Sequence, residues 1–323
     1  MELMPELTLE KPATVEEAIR LRAGGEARYL AGGTDMVVNI RRGIESPSAL
    51  VDLTGIAELT EISAGADGVD IGAAVPLAEV ADHEIVRRDY RAVAEAAGEV
   101  AGPTHRNYGT VGGNLCLDTR CLFYNQSEWW RKSNDYCLKH RGEICHVAPG
   151  GRRCFAAFSG DLAPAALVHG AEVTVAGADG RRRVALDALY RDDGMDHLAL
   201  ADGELVVALH LPGATAGLAS GYRKARIRGS IDFPLAGVAA SLGMEGGRVA
   251  ALEIALTAVN PYPNRLPGCE KFFGATLDGD TLDALRDAVR SRAKPMRTTT
   301  VQPWYRRRVV GALARRLVAE LAR

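Results

Sequence analysis

The sequence predicts an α+β fold in two successive parts, with an irregular insertion in the first part. Residues 1–215 alternate between short strand patterns and amphipathic helical patterns, whereas residues 216–323 hold a run of strand patterns followed by two helical patterns. Residues 117–158 follow neither period. A chain of 323 residues is long enough for two or three domains, so we expect a second, smaller domain to begin near residue 216.

The first part opens with a helix signal. Thr14 and Glu17 have the spacing of a capping box ahead of an apolar helical stripe. Asp67-Gly68 is typical of a hairpin turn and predicts that the strand patterns on either side of it pair. In chain order, the remaining patterns predict strands at 27–30 and 49–53, hairpin strands at 60–63 and 69–72, helices over 77–98, a glycine-rich loop over 105–115, a helix over 161–169 and a strand over 171–176.

The last third of the chain has a different style. Gly246-Gly247 marks a turn between two long strand patterns. Strands are predicted at 205–211, 219–226, 235–244 and 249–259, and helices at 282–292 and 305–321. A run of strands followed by helices is typical of an α+β domain.

The charge balance argues against two classes of partner. The formal net charge is -2, without the excess of positive charge typical of proteins that bind nucleic acid or acidic membrane surfaces. No apolar run approaches the length of a bilayer span. We therefore expect a soluble, cytoplasmic protein with no nucleic-acid and no membrane partner. The arginines of the last helix are typical of a solvated or subunit-facing edge, since no aromatic residues interleave with them: Arg306, Arg307, Arg308, Arg315 and Arg316.

The cysteines point to metal or redox chemistry. Five of the six cysteines fall within residues 116–154, and Cys269 stands alone. Cytoplasmic thiols are kept reduced, so a local cluster indicates metal binding or redox function before it indicates disulfides. The surrounding segment is long, lacks periodicity and is rich in aromatic residues, which favours a functional insertion over a disordered one.

Two glycine turns are suited to holding an anion. Gly32-Gly33 follows a predicted strand and precedes a predicted helix, and Gly112-Gly113 is flanked by Thr110 and Asn114. Backbone N–H groups at such turns can converge on a phosphate where no Cβ obstructs its approach. Taken singly, each motif is more often an ordinary turn. Neither matches the Gly-x-Gly-x-x-Gly fingerprint, so a Rossmann-type site lacks its defining residues.

Taken together, the motifs resemble those of the flavoprotein subunits of the xanthine dehydrogenase and carbon monoxide dehydrogenase family, the molybdenum hydroxylases. The resemblance covers nearly the whole chain. It implies a two-part FAD-binding domain of the PCMH type followed by a smaller α+β flavoprotein domain. It rests on Leu30-Ala31-Gly32-Gly33-Thr34-Asp35, on Arg106-Asn107 followed by Thr110-Val111-Gly112-Gly113-Asn114-Leu115-Cys116, on Asp161-Leu162-Ala163-Pro164, and on Tyr222, Lys224, Arg228 and Asp232.

The resemblance also implies where FAD would bind. The two glycine turns would hold the pyrophosphate, Thr110 and Asp161 would bond the sugar and ribityl portions, and Lys224 would lie near the isoalloxazine ring. The implied cofactor-binding residues are Leu30, Ala31, Gly32, Gly33, Thr34, Asp35, Thr110, Gly112, Gly113, Asn114, Asp161 and Lys224. Without the resemblance, Lys224 is equally a surface ammonium on a strand, and Asp161 is equally a helix N-cap. His105 is either a flavin contact or a structural histidine.

The insertion departs from the common pattern of the family, in which far fewer residues separate the Gly-Gly-Asn turn from the Asp-x-x-Pro helix start. It resembles one subfamily, the β subunits of 4-hydroxybenzoyl-CoA reductases, which hold an additional [4Fe-4S] cluster there. The resemblance implies four cluster ligands, at intervals of 16, 8 and 9 residues: Cys121, Cys137, Cys145 and Cys154. Four thiolates are the usual ligands of a cubane cluster.

Two other interpretations of the cysteines remain open from the sequence. A structural zinc site is the competing metal site, although zinc ligands generally come as close pairs. The thiols could also be unligated. Cys116 belongs to the second glycine turn rather than to the ligand set, and Cys269 is expected to be a buried or idle thiol.

The resemblance predicts an electron-transfer role for the chain. It implies a partner subunit with the molybdopterin cofactor, a partner with two [2Fe-2S] clusters, a dimer of such heterotrimers, and ferredoxin as electron donor. The chain offers no nucleophile, acid–base pair or molybdenum ligand set, so we expect no catalytic residues in it. One alternative is the FAD subunit of an oxidising molybdenum hydroxylase acting on xanthine or on an aromatic or N-heterocyclic substrate. Another is a metal-stabilised binding or assembly protein without enzymatic function.

Overall fold

Three β-sheets organise the chain in a computed structural model, which describes residues 4–23 and 25–323. The predicted first part also includes residues 1–3 and 24, which lie outside the described residues. One sheet is parallel, the other two are antiparallel, and helices pack on all three. The predicted α+β class is confirmed.

The first sheet is parallel and three-stranded, in the order β1-β3-β2. Its strands are β1 (Thr8–Glu10), β2 (Ala27–Leu30) and β3 (Ala49–Asp52), and they are connected through the helices α1 (Val15–Arg22) and α2 (Met36–Arg41). Thr14 Oγ1 accepts a hydrogen bond from Glu17 N at 3.2 Å, which confirms the predicted helix start. β1 is not predicted from the sequence, because its three residues are too few to show a period.

The second sheet is five-stranded and wholly antiparallel, in the order β4-β5-β8-β6-β7. It consists of β4 (Ile62–Gly65), β5 (Gly68–Gly72), β6 (Glu172–Gly177), β7 (Gly180–Ala185) and β8 (Leu205–Pro212). The predicted hairpin at Asp67-Gly68 is confirmed. β7 is not predicted, because its arginine-rich and largely exposed sequence lacks alternating apolar residues.

Short helices fill the long connection between β5 and β6. They are α3 (Leu77–Asp82), α4 (Glu84–Asp89), α5 (Arg91–Glu99), α6 (Pro103–Arg106), α7 (Val111–Leu115), α8 (Glu128–Ser133) and α9 (Leu162–Leu167). The helical pattern predicted over 77–98 is therefore divided, and α4 and α5 meet at Tyr90, whose φ of -134 is not helical. The Tyr90 hydroxyl donates to the carbonyls of Leu211 and Pro212, which ties this junction to β8.

The third sheet is antiparallel and lies in the last third of the chain, in the order β12-β11-β10-β9. It consists of β9 (Ala219–Ala225), β10 (Ala236–Glu245), β11 (Arg248–Thr257) and β12 (Asn264–Arg265), followed by α10 (Gly279–Arg292) and α11 (Pro303–Leu321). Gly246 and Gly247 have φ of 56 and 75, which confirms the predicted turn. The predicted domain boundary falls between the end of β8 and the start of β9, and it stays a prediction.

Strand β10 is buried on both faces. Val238 and Leu242 pack in one core cluster with Leu317 of α11, whereas Ala239 packs with Ala92 of α5 in the main cluster of the first part. Since successive side chains of a strand point to opposite faces, β10 joins the two cores. The third sheet is thus held between α10 and α11 on one side and α5 and α9 on the other.

Arg306 corrects one expectation drawn from the sequence. Its guanidinium is fully buried, and it donates hydrogen bonds to Leu235 O at 2.8 Å, Met296 O at 2.9 Å and Thr298 Oγ1 at 3.0 Å. The assignment of Arg306 to a solvated edge is therefore wrong. Periodicity could not reveal this, because Arg307 and Arg308 beside it are exposed as expected.

The insertion leaves and re-enters the fold at one place. Arg120 and Ala157 form an antiparallel bridge, in which each N–H donates to the other residue's carbonyl at 2.7 and 2.8 Å. The insertion also contacts the last third of the chain, because Leu122 N donates to Thr298 O at 2.8 Å. No helix within the described ranges is long and apolar enough to cross a bilayer.

Candidate functional site

A cavity of about 950 Å³ lies between the first two sheets and the loop that joins β9 to β10. This volume is typical of a site for a large organic cofactor. Its walls come from the turn between β2 and α2, from α7, from the start of α9, and from the loop between β9 and β10. The structure places ten of the predicted cofactor-binding residues in these walls: Ala31, Gly32, Gly33, Thr34, Asp35, Thr110, Gly112, Gly113, Asn114 and Asp161.

The first glycine turn is shaped by close backbone packing. A Cβ at Gly32 would lie 1.7 Å from Tyr108 O, so no larger residue fits between the two loops. Gly33 has a φ of +69, in the left-handed region that favours glycine. The neighbouring Leu30, which was also predicted to bind the cofactor, ends β2 and does not line the cavity.

The second glycine turn is a short helix rather than the predicted loop. Thr110 is the N-cap of α7, and its Oγ1 accepts a hydrogen bond from Gly113 N at 3.1 Å. A Cβ at Gly112 would lie 2.9 Å from Ala73 Cβ, so this glycine serves the packing of α7 against the end of β5. The sequence points to a loop because two glycines disfavour a helix, and tertiary packing overrides that preference.

Asp161 and Lys224 form a buried pair at the back of the cavity. The Lys224 side chain is 1% exposed, and its Nζ lies 3.0 Å from Asp161 Oδ1. The Tyr222 hydroxyl donates to the same carboxylate oxygen at 2.6 Å. Burial raises the pKa of Asp161, and the charge of Lys224 opposes that rise.

This arrangement decides between the alternatives left open by the sequence. Lys224 is not a surface ammonium, and it lies behind Asp161 rather than in the cavity wall. Asp161 occupies the N-cap position of α9, but its side chain makes no capping hydrogen bond. Instead, Asn114 Oδ1 accepts from Leu162 N at 2.9 Å, which ties α7 to the first turn of α9.

Arg120 is a cavity residue that the sequence analysis does not single out. It forms an ion pair with Asp35 and stacks 4.9 Å from the centre of the Phe233 ring. Its Nε is buried and has no hydrogen-bond partner within the described part of the chain. Burial lowers the pKa of Arg120 to about 10, so the guanidinium stays charged at neutral pH. In the sequence, Arg120 is the one arginine between the second glycine turn and Cys121, the first predicted cluster ligand.

Two further features mark the cavity as a ligand site. Ala101 and Ile231 line it with φ of 43 and 52, although non-glycine residues, and β-branched ones above all, seldom adopt such values. His105 also lines the cavity, and its Nδ1 is buried without a partner among the residues whose positions are described. Glycine-lined walls, unpaired buried donors and ample volume together fit a dinucleotide such as FAD.

The four predicted cluster ligands line one small cavity within the insertion: Cys121, Cys137, Cys145 and Cys154. All four are buried, whereas Cys116 lines the large cavity and Cys269 lies in the core of the last third. Burial raises the pKa of Cys121 to about 11 and that of Cys154 to about 12. Burial therefore favours the neutral thiol form of Cys121 and Cys154 unless a positive charge stabilises the thiolate.

The spacing of these thiols does not form a site for a single metal ion. Over residues 4–23 and 25–323, no group of three or more His, Cys, Asp or Glu side chains is arranged to hold one. The ligands of a cubane lie further apart than those of zinc, because each binds a different iron atom. The free space between the sulfurs is about 10 Å³, so the loop would have to widen around an inorganic core.

The backbone around Cys137 is strained. Asp135, Tyr136 and Arg141 have φ of 54, 58 and 62, and a Cβ at Gly142 would lie 2.7 Å from Cys137 N. Strain of this kind is concentrated at ligand sites and is retained where the surroundings determine it.

Comparison with known proteins shows which family this chain, with its large cavity, resembles. Residues 5–214 match the family described as FAD binding domain in molybdopterin dehydrogenase, and residues 220–321 match the CO dehydrogenase flavoprotein C-terminal domain. The aldehyde oxidoreductase FAD-binding subunit of Escherichia coli K12 is 34% identical over 268 residues, which cover 76% of this chain and 81% of that protein. The xanthine dehydrogenase FAD-binding subunit of Escherichia coli O157:H7 is 25% identical over 314 residues, which cover 96% and 94%.

Solved structures agree on the fold. A crystal structure of a Cu,Mo-CO dehydrogenase in its cyanide-inactivated form superposes with a TM-score of 0.82 at 24% identity, covering 99% of each chain. The family match spans the glycine turns, Asp161 and the strands that frame the cavity. The chain therefore belongs to the family of FAD-binding domains in molybdopterin dehydrogenases, as an FAD-binding subunit of the xanthine dehydrogenase and carbon monoxide dehydrogenase medium-chain type.

Proposed function

We propose that this chain is the electron-transfer subunit, with FAD and a [4Fe-4S] cluster, of a molybdenum-dependent 4-hydroxybenzoyl-CoA reductase. One observation carries the proposal: four cysteines of an inserted loop line one cavity beside the cavity of the FAD-binding family. The two cavities adjoin, since Lys139 lines the small cavity, Asp118 lines the large one, and their side chains are 2.6 Å apart.

The large cavity would hold FAD through the residues already described. The glycine turns allow a diphosphate to approach the backbone, and Arg120 Nε supplies a buried cationic donor for it. Asp161 accepts a hydrogen bond from the Tyr222 hydroxyl and would accept one from a ribityl hydroxyl in the same way, while the charge of Lys224 opposes the rise that burial causes in the pKa of its carboxyl group. Bound FAD would accept and deliver electrons.

The small cavity would hold the cluster through four thiolates. One backbone N–H would help to stabilise them, since Ala156 N lies 3.4 Å from Cys154 Sγ. The bridge between Arg120 and Ala157 closes the base of the loop, so the metal bonds would complete a fold that has little apolar surface of its own. Zinc ligands generally come as close pairs in the sequence, and the intervals of 16, 8 and 9 residues between these cysteines are wider than that.

We infer that substrate chemistry takes place in another subunit. The relatives include chains named as medium or FAD-binding subunits of carbon monoxide and xanthine dehydrogenases. By analogy, this chain would join a molybdopterin subunit and a subunit with two [2Fe-2S] clusters in a dimer of heterotrimers, in the cytoplasm. Ferredoxin would supply low-potential electrons for reductive removal of the ring hydroxyl, which yields benzoyl-CoA.

An oxidising enzyme is the second candidate. The relative with 34% identity is named as an aldehyde oxidoreductase subunit, and such an enzyme would pass electrons outward through FAD. A metal-stabilised assembly protein without redox function is the third candidate, and it predicts a colourless preparation.

The deciding experiment is anaerobic purification of the native complex. The proposal expects acid-extractable FAD and about four iron and four sulfide for this chain, above those of the partner subunits. It also expects dehydroxylation of 4-hydroxybenzoyl-CoA with a strong reductant. Oxidation of an aldehyde or heterocycle without thioester reduction would favour the oxidising enzyme. A chain that holds neither FAD nor iron would end the electron-transfer proposal.

A further inference from the structure

Lys139 places a buried positive charge beside the four cysteines. Its side chain is 6% exposed, and it lines the cysteine cavity together with Tyr124, whose ring centre is 4.8 Å from Nζ. Lysine is almost never buried unless it is paired. The dielectric constant around a buried charge is lower than that of water, so the Lys139 ammonium interacts more strongly with groups in the cysteine cavity than it would at the surface.

The partners of Lys139 hold the ammonium in one position. Nζ donates to Asp118 Oδ1 at 2.6 Å and to Gly194 O at 2.9 Å, and Thr119 Oγ1 lies 2.5 Å away. Asp118 is the counter-charge, and it faces the large cavity. The pair therefore spans the wall between the two candidate sites, with the positive end toward the cysteines.

We propose that Lys139 sets the reduction potential of the cluster in this loop, with Asp118 as the opposing charge; this inference rests on the proposed function. One-electron reduction adds a negative charge to an already anionic thiolate-bound cluster, and the Lys139 ammonium stabilises that charge. Lys139 therefore raises the potential, and Asp118 lowers it.

The insertion also offers a surface control for the buried charge of Lys139. The other lysine of the insertion, Lys132, lies exposed on α8, where solvent screens it. The two lysines thus form a matched pair for a test, one buried at the cavity and one at the surface.

The test is a dye-mediated redox titration of the anaerobically purified complex, followed by the electron paramagnetic resonance signal of the cluster. At a fixed ambient potential, Lys139→Met should lower the ratio of reduced to oxidised cluster at least tenfold, a shift of about 59 mV for one electron. Asp118→Asn should raise the same ratio. Lys139→Arg and Lys132→Met should leave it within about threefold, because the first keeps the charge and the second changes only the surface.

The opposite signs separate a charge effect from a structural one. Loss of folding would lower iron content in both variants, whereas the proposal expects Lys139→Met and Asp118→Asn to move the potential in opposite directions with iron retained. If Lys139→Met loses its cluster, the Asp118→Asn variant still decides the sign. An unchanged potential, or shifts in one direction, would overturn the inference alone. Wild-type protein without iron and sulfide in this chain would overturn the proposed cluster as well.

Discussion

Lys224 and Asp161 form an ion pair in which both side chains are buried, at 1% and 4% exposed, with Nζ and Oδ1 3.0 Å apart. The pair links β9 of the last third to the start of α9 in the first part. Tyr222 completes it by donating to the same oxygen at 2.6 Å. This buried ion pair therefore connects the two parts of the chain at the back of the FAD cavity.

Removing one partner of this pair should be costly. Lys224→Met leaves the Asp161 carboxylate buried without its counter-charge, so we expect the free energy of unfolding to fall by about 3–5 kcal/mol. The double variant Lys224→Met with Asp161→Asn should recover part of this loss, because no unpaired charge remains. Urea denaturation measures both, with the exposed Lys294→Met as control. Equal losses in the single and double variants would contradict a pair that acts through charge.

Arg306 should tolerate even a conservative change poorly. Its fork-shaped guanidinium satisfies carbonyls from three separate segments, at Leu235, Ala258 and Met296. A lysine keeps the charge but cannot reach all of them, so Arg306→Lys should lower the free energy of unfolding by about 3 kcal/mol. Arg307→Lys, one position along and exposed, should change it by less than about 0.5 kcal/mol. The two urea midpoints would coincide if Arg306 were a surface residue.

The contrast between the buried Arg306 and the exposed Arg307 shows which features of the fold can be predicted from the sequence. Periodicity finds α11 and most other elements, because apolar spacing reflects which face packs. It cannot find Arg306 or Lys224, because burial of a charge depends on carbonyls and carboxylates supplied by distant segments. The glycine turns in the walls of the FAD cavity are predicted as FAD contacts only through the family resemblance, because each motif alone is typical of an ordinary turn. Arg120 escapes prediction, since its role depends on Asp35 and Phe233, which come from other parts of the chain.

Gly32 offers a direct test of the cofactor cavity. An added methyl group would lie 1.7 Å from Tyr108 O and 2.3 Å from Tyr108 C, and backbone cannot yield as a flexible side chain does. Gly32→Ala should therefore force the two glycine loops apart and reduce FAD content at least tenfold, measured as acid-extracted flavin fluorescence. Gly55→Ala, where the new Cβ meets no atom within 4 Å, should keep its FAD. Full FAD content in Gly32→Ala would show that the loops need not touch for binding.

The cysteines allow a matched comparison of iron content. Cys145 lines the insertion cavity, whereas Cys269 is equally buried but donates to Leu266 O in the core of the last third. Cys145→Ala should lower the iron and sulfide of this chain, counted above those of the partner subunits, at least threefold, because a cubane needs a ligand for each iron atom. Cys269→Ala should retain both. Equal iron in the two variants would place the metal outside the insertion.

His169 should control part of the acid sensitivity of the fold. Both of its ring nitrogens are buried, and neither has a hydrogen-bond partner in the described residues. The ring packs edge-on to Tyr90, with centroids 5.2 Å apart. Burial lowers the pKa of His169 from its ordinary value of 6.5 to about 4.

The lowered pKa of His169 determines how stability changes with pH. Between about pH 6.5 and pH 4 the unfolded chain binds a proton at this residue that the folded chain does not, so the free energy of unfolding falls as the pH falls. The full shift in pKa corresponds to roughly 3 kcal/mol of unfolding free energy.

His169→Phe keeps the aromatic packing against Tyr90 but has no proton to bind, so its stability should equal or exceed that of the wild type at pH 8 and decline less on acidification. Carboxylates contribute equally to both proteins, so the difference between their urea midpoints from pH 8 to pH 4 isolates this histidine. Parallel curves would mean that His169 titrates alike in the folded and unfolded chains.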